Sequence, residues 1–195
     1  MSELREIQVL ERLAEVLDTL GIPYAIGGSI ASSVYGTVRF TRDADIAMLP
    51  FPSAADRFYA MLKNEFYVNE EAMQQALGCC GTFNIIHFET AFKIDIFLLG
   101  PSEFEQQLLV RSKMVRLGET AESELCFVSP EDVILLKLRR LGESDGFEED
   151  QWEDILGVLA IQGRALDLQR LTDYAKTLGV EDLLERAIAE AETYV

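Results

Sequence analysis

The stretch GGSIASSVYGTVRFTRDADIAML, residues 27–49, decides how this chain is read. Two glycines and a serine precede a short helix-like run, and R-x-T-x-D-A-D-I then leads into an apolar alternation. Side chains alternate across a strand, so Asp43 and Asp45 point to the same side. Their Cα atoms lie ~6.5 Å apart at a rise of about 3.3 Å per residue. Two carboxylates on one face repel, and burying them unpaired is costly. A cation is expected between them. Mg²⁺ suits the position, because it takes hard oxygen ligands and bridges carboxylates to phosphates. The plain alternative is a strand whose solvated face happens to carry two aspartates.

Two neighbouring features favour the cation. Gly27, Gly28 and Ser29 lie between a predicted strand and a predicted helix. Glycine lets backbone N–H groups approach an anion, and a helix N-terminus favours negative charge. Further on, AFKIDIFLL sets Asp95 in a strongly apolar strand, on the same strand face as Lys93 and Phe97. Asp95 reads either as one half of a surface Lys–Asp pair, or as a third metal ligand or general base.

Composition narrows the function classes. The 195 residues suit one domain, or one domain with a helical extension, and 49% hydrophobic content is enough for a substantial core. No apolar run is long enough to cross a membrane, and the charged, periodic N-terminus lacks a signal-peptide layout, so the expected location is cytoplasmic. Three cysteines without C-x-x-C spacing fit neither a disulfide framework nor a zinc site. The net charge of −17, from 34 acids and 17 bases, makes a long nucleic acid a poor partner. Small basic groups remain at Arg39 and Arg42, at Arg111, Lys113 and Arg116, and at Lys137, Arg139 and Arg140. A local positive pocket is compatible with them.

Along the chain, apolar residues spaced for one helix face predict a helix over 3–20. IPYAIGG reads as a strand entering a glycine turn, SIASSVYG as a short helix and RDADIAML as a strand. SAADRFYAMLKNEF and EEAMQQALG read as helices, TFNIIHFE and FKIDIFLL as paired strands, and Leu108 to Gly118 as a further strand. In FVSPEDVILLKLRRLG, Ser129 caps a helix, Pro130 takes its first position and Asp132 completes a capping box. Three more helices follow an acidic run. Strands confined to roughly 22–128, with helices afterwards, predict an α+β fold. Residues 1–128 form the expected small mixed-sheet core with an N-terminal helix, and 129–195 a helical subdomain packed on it. His87, the one histidine, reads as structural, and Trp152 as a core or interface anchor.

Taken together, Ile26-Gly27-Gly28-Ser29, a spacer of thirteen residues, Asp43-Ala44-Asp45-Ile46 and the later Asp95 resemble the signature of the DNA polymerase beta-like nucleotidyltransferase superfamily. Arg39 and Thr41 in the R-x-T-x-D-x-D lead-in, and SPEDVILLKLRRL followed by QWEDILGVL, are similar to its small bacterial branch that includes the AbiEii-type toxins. Asp150 departs from that branch, whose members tend to carry a basic residue just before the Q-W position. The resemblance spans about Pro23 to Leu183.

The resemblance implies a Mg²⁺- or Mn²⁺-dependent transfer of a nucleoside monophosphate from an NTP, such as ATP, to an acceptor hydroxyl, with pyrophosphate released. Asp43, Asp45 and Asp95 would be the catalytic metal ligands. Gly27, Gly28, Ser29, Arg39, Thr41 and Lys137 would bind the nucleotide, with the short helix turning the chain so that both ends of the stretch face one pocket. The acceptor is open: a small molecule, a protein side chain or an RNA end. A homodimer is compatible with the apolar C-terminal helices, and the toxin-like resemblance implies that an antitoxin-like partner is compatible too. The alternative is a non-catalytic nucleotide-binding or interaction module on the same fold.

Overall fold

The computed structural model describes residues 2–39, 41–117, 124–144 and 148–194, with side chains from residue 5 onward. The chain divides into two compact units, and the division is not a single cut. One unit comprises Met1–Gly27 with Thr41–Phe127, and the other comprises Gly28–Phe40 with Val128–Val195.

The first unit is built on a mixed sheet of seven strands among the described residues: β1 (Tyr24–Ile26), β2 (Asp43–Met48), β3 (Phe66–Val68), β4 (Thr82–His87), β5 (Lys93–Leu98), β6 (Lys113–Val115) and β7 (Leu125–Phe127). Their spatial order is β3-β4-β5-β2-β1-β7-β6. The β2–β5 and β1–β7 pairs are parallel, and the other neighbours are antiparallel. Alternation in β2, β5 and β4 sends Ala44, Ile46 and Met48, Ile94, Ile96 and Leu98, and Phe83 and Ile85 to the buried face. The acids of β2 and β5 therefore share the opposite face.

Helix α1 (Ser2–Leu20) buries Leu10, Leu13 and Leu17, spaced as one helical stripe. It is tied down where Arg12 Nη2 meets Glu65 Oε1 at 2.8 Å. Helix α3 (Ala55–Leu62) sets Phe58 between Phe51 at 5.0 Å and Phe83 at 6.4 Å, which anchors it on the buried side of β4. Helix α4 (Glu70–Cys79) starts where the Asn69 side chain accepts from the Ala72 N–H.

Two segments differ from the sequence expectation. The region expected as strand from Leu108 begins as helix α5 (Glu103–Val110), and only Lys113–Val115 is strand; Gly118 lies outside the described residues. Ser102 starts α5 by accepting from the Glu105 N–H, and Phe104 and Leu108, one helical turn apart, are buried. The helix predicted to run to Phe66 stops at Leu62, and Phe66–Val68 instead pairs with β4 as an edge strand.

The second unit is helical: α2 (Gly28–Tyr35), α6 (Pro130–Glu143), α7 (Glu149–Gln162), α8 (Leu168–Leu178) and α9 (Glu181–Ala191). The part of the acidic run at 145–147 lies outside the described residues. At the start of α6, Ser129 Oγ accepts from the Asp132 N–H at 3.2 Å and donates to Asp132 Oδ2 at 2.8 Å. Buried Glu131 joins α6 to α8 through Arg170, 2.6 Å away. Trp152 is buried, donates to Glu190 Oε2 at 2.7 Å and lies under the Arg186 guanidinium, so it locks α7 to α9. No described helix is long and apolar enough to cross a membrane.

Helix α2 sits close against α7 because two glycines face the contact. A Cβ on Gly36 would lie 2.7 Å from the Val158 backbone nitrogen, and one on Gly157 would lie 2.9 Å from Thr37 Oγ1. Backbone cannot move aside as a flexible side chain can. Gly36→Ala should therefore lower unfolding stability by about 3 kcal/mol, the upper range for overpacking. Gly78→Ala is the control: its position in α4 is exposed, with nothing within 4 Å of the new Cβ. There, better helix propensity should be neutral or add up to about 1 kcal/mol. Urea unfolding of both variants checks the contrast.

Candidate active site

Parallel pairing of β2 with β5 places Asp45 directly opposite Asp95, and Asp43 opposite Lys93. Residues paired in register project to the same side of a sheet, and so do residues two apart on one strand. Asp43, Asp45, Lys93 and Asp95 thus form a two-by-two array of charged side chains on one face. The structure brings the three sequence-predicted acids together to this extent. Asp95 keeps both features of its two readings: Lys93 Nζ lies 2.7 Å from Asp95 Oδ2, and Asp95 is beside Asp45 as well.

Local bonds fix the array. Thr41 Oγ1 donates to Asp43 Oδ1 at 3.0 Å, so it orients the outermost acid. The Gly27 N–H donates to the Asp45 carbonyl at 2.8 Å, extending the β1–β2 ladder by one residue and tethering the glycine turn to the strand of acids. Exposed Asn84 lies in register with Asp95 on its other side. The Lys93 ammonium is held above its usual range, chiefly by the hydrogen bond to Asp95. The charges of Asp95, Asp43 and Asp45 add to this, and together they outweigh the opposing effect of burial.

The donor set suits a hard divalent cation in kind: three carboxylates on one face, with one positive charge already seated on Asp95. Among the described residues, no three Asp, Glu, His or Cys side chains stand close enough to make a ready-formed metal cluster.

Gly28, Ser29, Arg39 and Lys137 belong to the helical unit, where Arg39 and Lys137 meet on a carboxylate that the sequence did not single out. Asp154 of α7 has a side chain only 4% exposed. Lys137 Nζ donates to its Oδ2 at 2.7 Å, Arg39 Nε to its Oδ1 at 3.2 Å, Arg39 Nη2 to Oδ2 at 3.1 Å, and Ser32 Oγ to Oδ2 at 3.1 Å. Lys137 also donates to Gln151 Oε1 at 2.8 Å. The lysine expected to face a nucleotide is thus a buried partner of Asp154. Arg39 Nη2 reaches Ser29 Oγ at 2.8 Å, at the first turn of α2. Asp150, the departure from the basic residue of the similar sequences, lies 3.7 Å from Arg39 Nη1.

Gly28 opens α2 at φ +58°, a conformation that costs glycine little. The helix N-terminus, Ser29 and Arg39 together supply N–H, hydroxyl and guanidinium groups suited to an anion. Asp154 was findable in principle: it is an acid among Ile155, Leu156, Val158 and Leu159, all buried. An acid in such a run needs an internal cation.

His87 Nδ1 bonds Thr90 Oγ1 at 3.0 Å across the β4–β5 turn, and its ring packs on Phe66 at 5.1 Å.

The sequence matches no family model and none of the curated proteins. The fold does have solved counterparts. The solution structure of the antibiotic-resistance factor ANT(2'')-Ia is 13% identical and superposes with a TM-score of 0.58, covering 98% of this chain and 97% of that one. The crystal structure of ANT(2'')-Ia in complex with adenylyl-2''-tobramycin, also 13% identical, gives 0.59 over 89% and 97%. An antigenic nucleotidyltransferase-like protein from Paracoccidioides brasiliensis, 16% identical, gives 0.58 over 94% and 91%. The chain has the nucleotidyltransferase-like fold, an α+β arrangement on a mixed sheet.

Burial, the largest influence on Asp154, pushes its carboxyl up. Arg39 and Lys137 outweigh it and hold the group below its ordinary value of 3.8. A carboxyl lowered by folding adds stability that is present above its unfolded value and is lost as pH falls through the folded one. Asp154→Asn leaves buried Lys137 without its charge partner and should cost about 3 kcal/mol at neutral pH. The gap between wild type and variant should narrow as pH falls below the ordinary carboxylate value, which thermal unfolding from pH 7 down to pH 3 will show.

Proposed function

We propose that the chain is a nucleotidyltransferase that moves a nucleoside monophosphate from an NTP, such as ATP, to a hydroxyl-bearing acceptor. The observation that carries this reading is the register of β2 and β5, which sets Asp45 beside Asp95 with Asp43 on the same face. The fold adds support. Mg²⁺ or Mn²⁺ held by Asp43, Asp45 and Asp95 would neutralise phosphate charge and favour both the attacking and the leaving oxygen.

The roles of the chain's own groups follow from their places. Asp95, on the strand beside the Asp-x-Asp strand, accepts the proton of the acceptor hydroxyl. The acceptor oxygen bonds to the α-phosphorus, the bond from that phosphorus to the bridging oxygen breaks, and pyrophosphate leaves. Thr41 keeps Asp43 oriented, and the Gly27 N–H keeps the Asp45 backbone in place. In the helical unit, Gly28, Ser29 and Arg39 are the anion-binding groups. Lys137 serves through Asp154, which it neutralises and which in turn holds Arg39. Catalysis of this kind is mostly positioning and electrostatics. With a net charge of −17, a small acceptor fits better than a long phosphodiester.

The reading is tested by incubating the protein with each labelled NTP, Mg²⁺ or Mn²⁺ and a cell extract supplying acceptors. Label transfer and pyrophosphate release are expected, and Asp43→Ala, Asp45→Ala and Asp95→Asn should each lower them by about a hundredfold or more. NTP binding without turnover would point to a nucleotide-binding module instead. Turnover untouched by all three substitutions would refute the assignment of the acids.

A further inference from the structure

We propose that Lys93 is the resident counter-ion of the acid face: its ammonium holds the positive charge that a divalent cation would take over, and so sets how tightly the face binds that cation. This rests on the metal-dependent reading above. Three observations lead to it. Register places Lys93 opposite Asp43 and one strand alternation from Asp95, so one base and three acids share the array. Its Nζ lies 2.7 Å from Asp95 Oδ2, on a carboxylate the cation would need. On the remaining side, Lys93 pairs with Ile86 of β4, and the β4 residue facing Asp95 is uncharged Asn84. Nothing on β4 competes for the ammonium.

An isolated exposed Lys–Asp pair contributes little. This one is different because the acids outnumber the base three to one on a single face. Parallel strands lie about 4.8 Å apart and alternate residues ~6.5 Å apart along a strand, so the four charges sit within the range where Coulomb interactions are strong. A divalent cation arriving there has two choices. It can bind beside the ammonium and be repelled, or it can displace the ammonium and break its bond to Asp95. Both weaken binding. Displacement is feasible: the Lys93 side chain is 42% exposed and lies on a flexible four-carbon stem. Lys93 is therefore a positioning residue. It keeps Asp95 placed until the cation arrives and then yields it.

Mn²⁺ titration of the full chain without nucleotide, read by the electron paramagnetic resonance of free Mn²⁺, tests this apart from turnover. Lys93→Met should bind Mn²⁺ at least about tenfold more tightly than wild type. Lys93→Arg, which keeps the charge, should not bind more tightly. The rise in melting temperature on adding Mn²⁺ should be larger in Lys93→Met than in wild type. If Lys93→Met proves poorly folded by circular dichroism, Lys93→Gln carries the same expectation. Mn²⁺ binding that Asp45→Asn abolishes but the neutral Lys93 variants leave unchanged or weaken would overturn this proposal and leave the metal-dependent reading standing. No Mn²⁺ binding to either wild type or the neutral variants would overturn both.

Discussion

Everything assigned to the acid face depends on one register, the parallel pairing of β2 with β5. Asp45 meets Asp95 only because the two strands align residue for residue from Asp43 with Lys93 to Met48 with Leu98. A slip of one residue would send the acids of one strand to the buried side and bring Ile94 or Ile96 to the open side. The register is well protected against that. Ala44, Ile46 and Met48 on β2, and Ile94, Ile96 and Leu98 on β5, are all buried. The apolar half of each strand thereby dictates where the polar half lies. Burial of aliphatic side chains on one face of the sheet is what positions the carboxylates on the other.

The two units solve different electrostatic problems. On the sheet, three carboxylates surround one ammonium, and the surplus is negative. In the helical unit, one buried carboxylate serves two cations, and Asp150 beside Arg39 brings the charges level. A buried carboxylate would ordinarily be driven to protonate, but here the neighbouring cations prevail over desolvation. Such a buried pair adds little to stability when compared with an apolar replacement, yet breaking it is expensive. Its value lies in placement. Asp154 directs the Arg39 guanidinium to Ser29, and Lys137 keeps Asp154 charged while it does so.

The sequence carried the acid face further than it carried its surroundings. Alternation in RDADIAML and FKIDIFLL is a period-2 signal that survives without knowledge of partners, so both strands and the shared side of Asp43 and Asp45 were legible. The start of α6 was legible too, because Ser129 and Pro130 act locally. The failures were partly non-local. Phe66–Val68 is strand because β4 pairs with it, and three strand-favouring residues at the end of a helical pattern are too few to show this alone. Helix α5 was obscured by the apolar Leu108–Val110 at its end, although its cap at Ser102 is a local signal. A nucleotide-facing Lys137 is what the resemblance implies; helix periodicity alone does not tell a solvated base from a buried one. Its partner Asp154 is seventeen positions away on another helix, and Arg39 is farther still. A buried ion pair has no periodicity: an acid in an apolar run shows that a cation is needed, and only the fold says which one.

The same logic explains why a base at position 93 makes sense in a strand otherwise so apolar. Three carboxylates on one face oppose the folding that brings them together, and that cost must be met before any ligand is present. A divalent ion bound only in the folded state would stabilise by mass action, in proportion to how far its concentration exceeds its dissociation constant. That support varies with conditions. An ammonium attached to the strand is always present at the same effective concentration, and its hydrogen bond to Asp95 is stronger for being charge-assisted. Its cost is weaker attraction for an external cation. A face built with Lys93 is thus less dependent on the ion for its fold and less avid for it, whereas one without the lysine would lean on the ion for both.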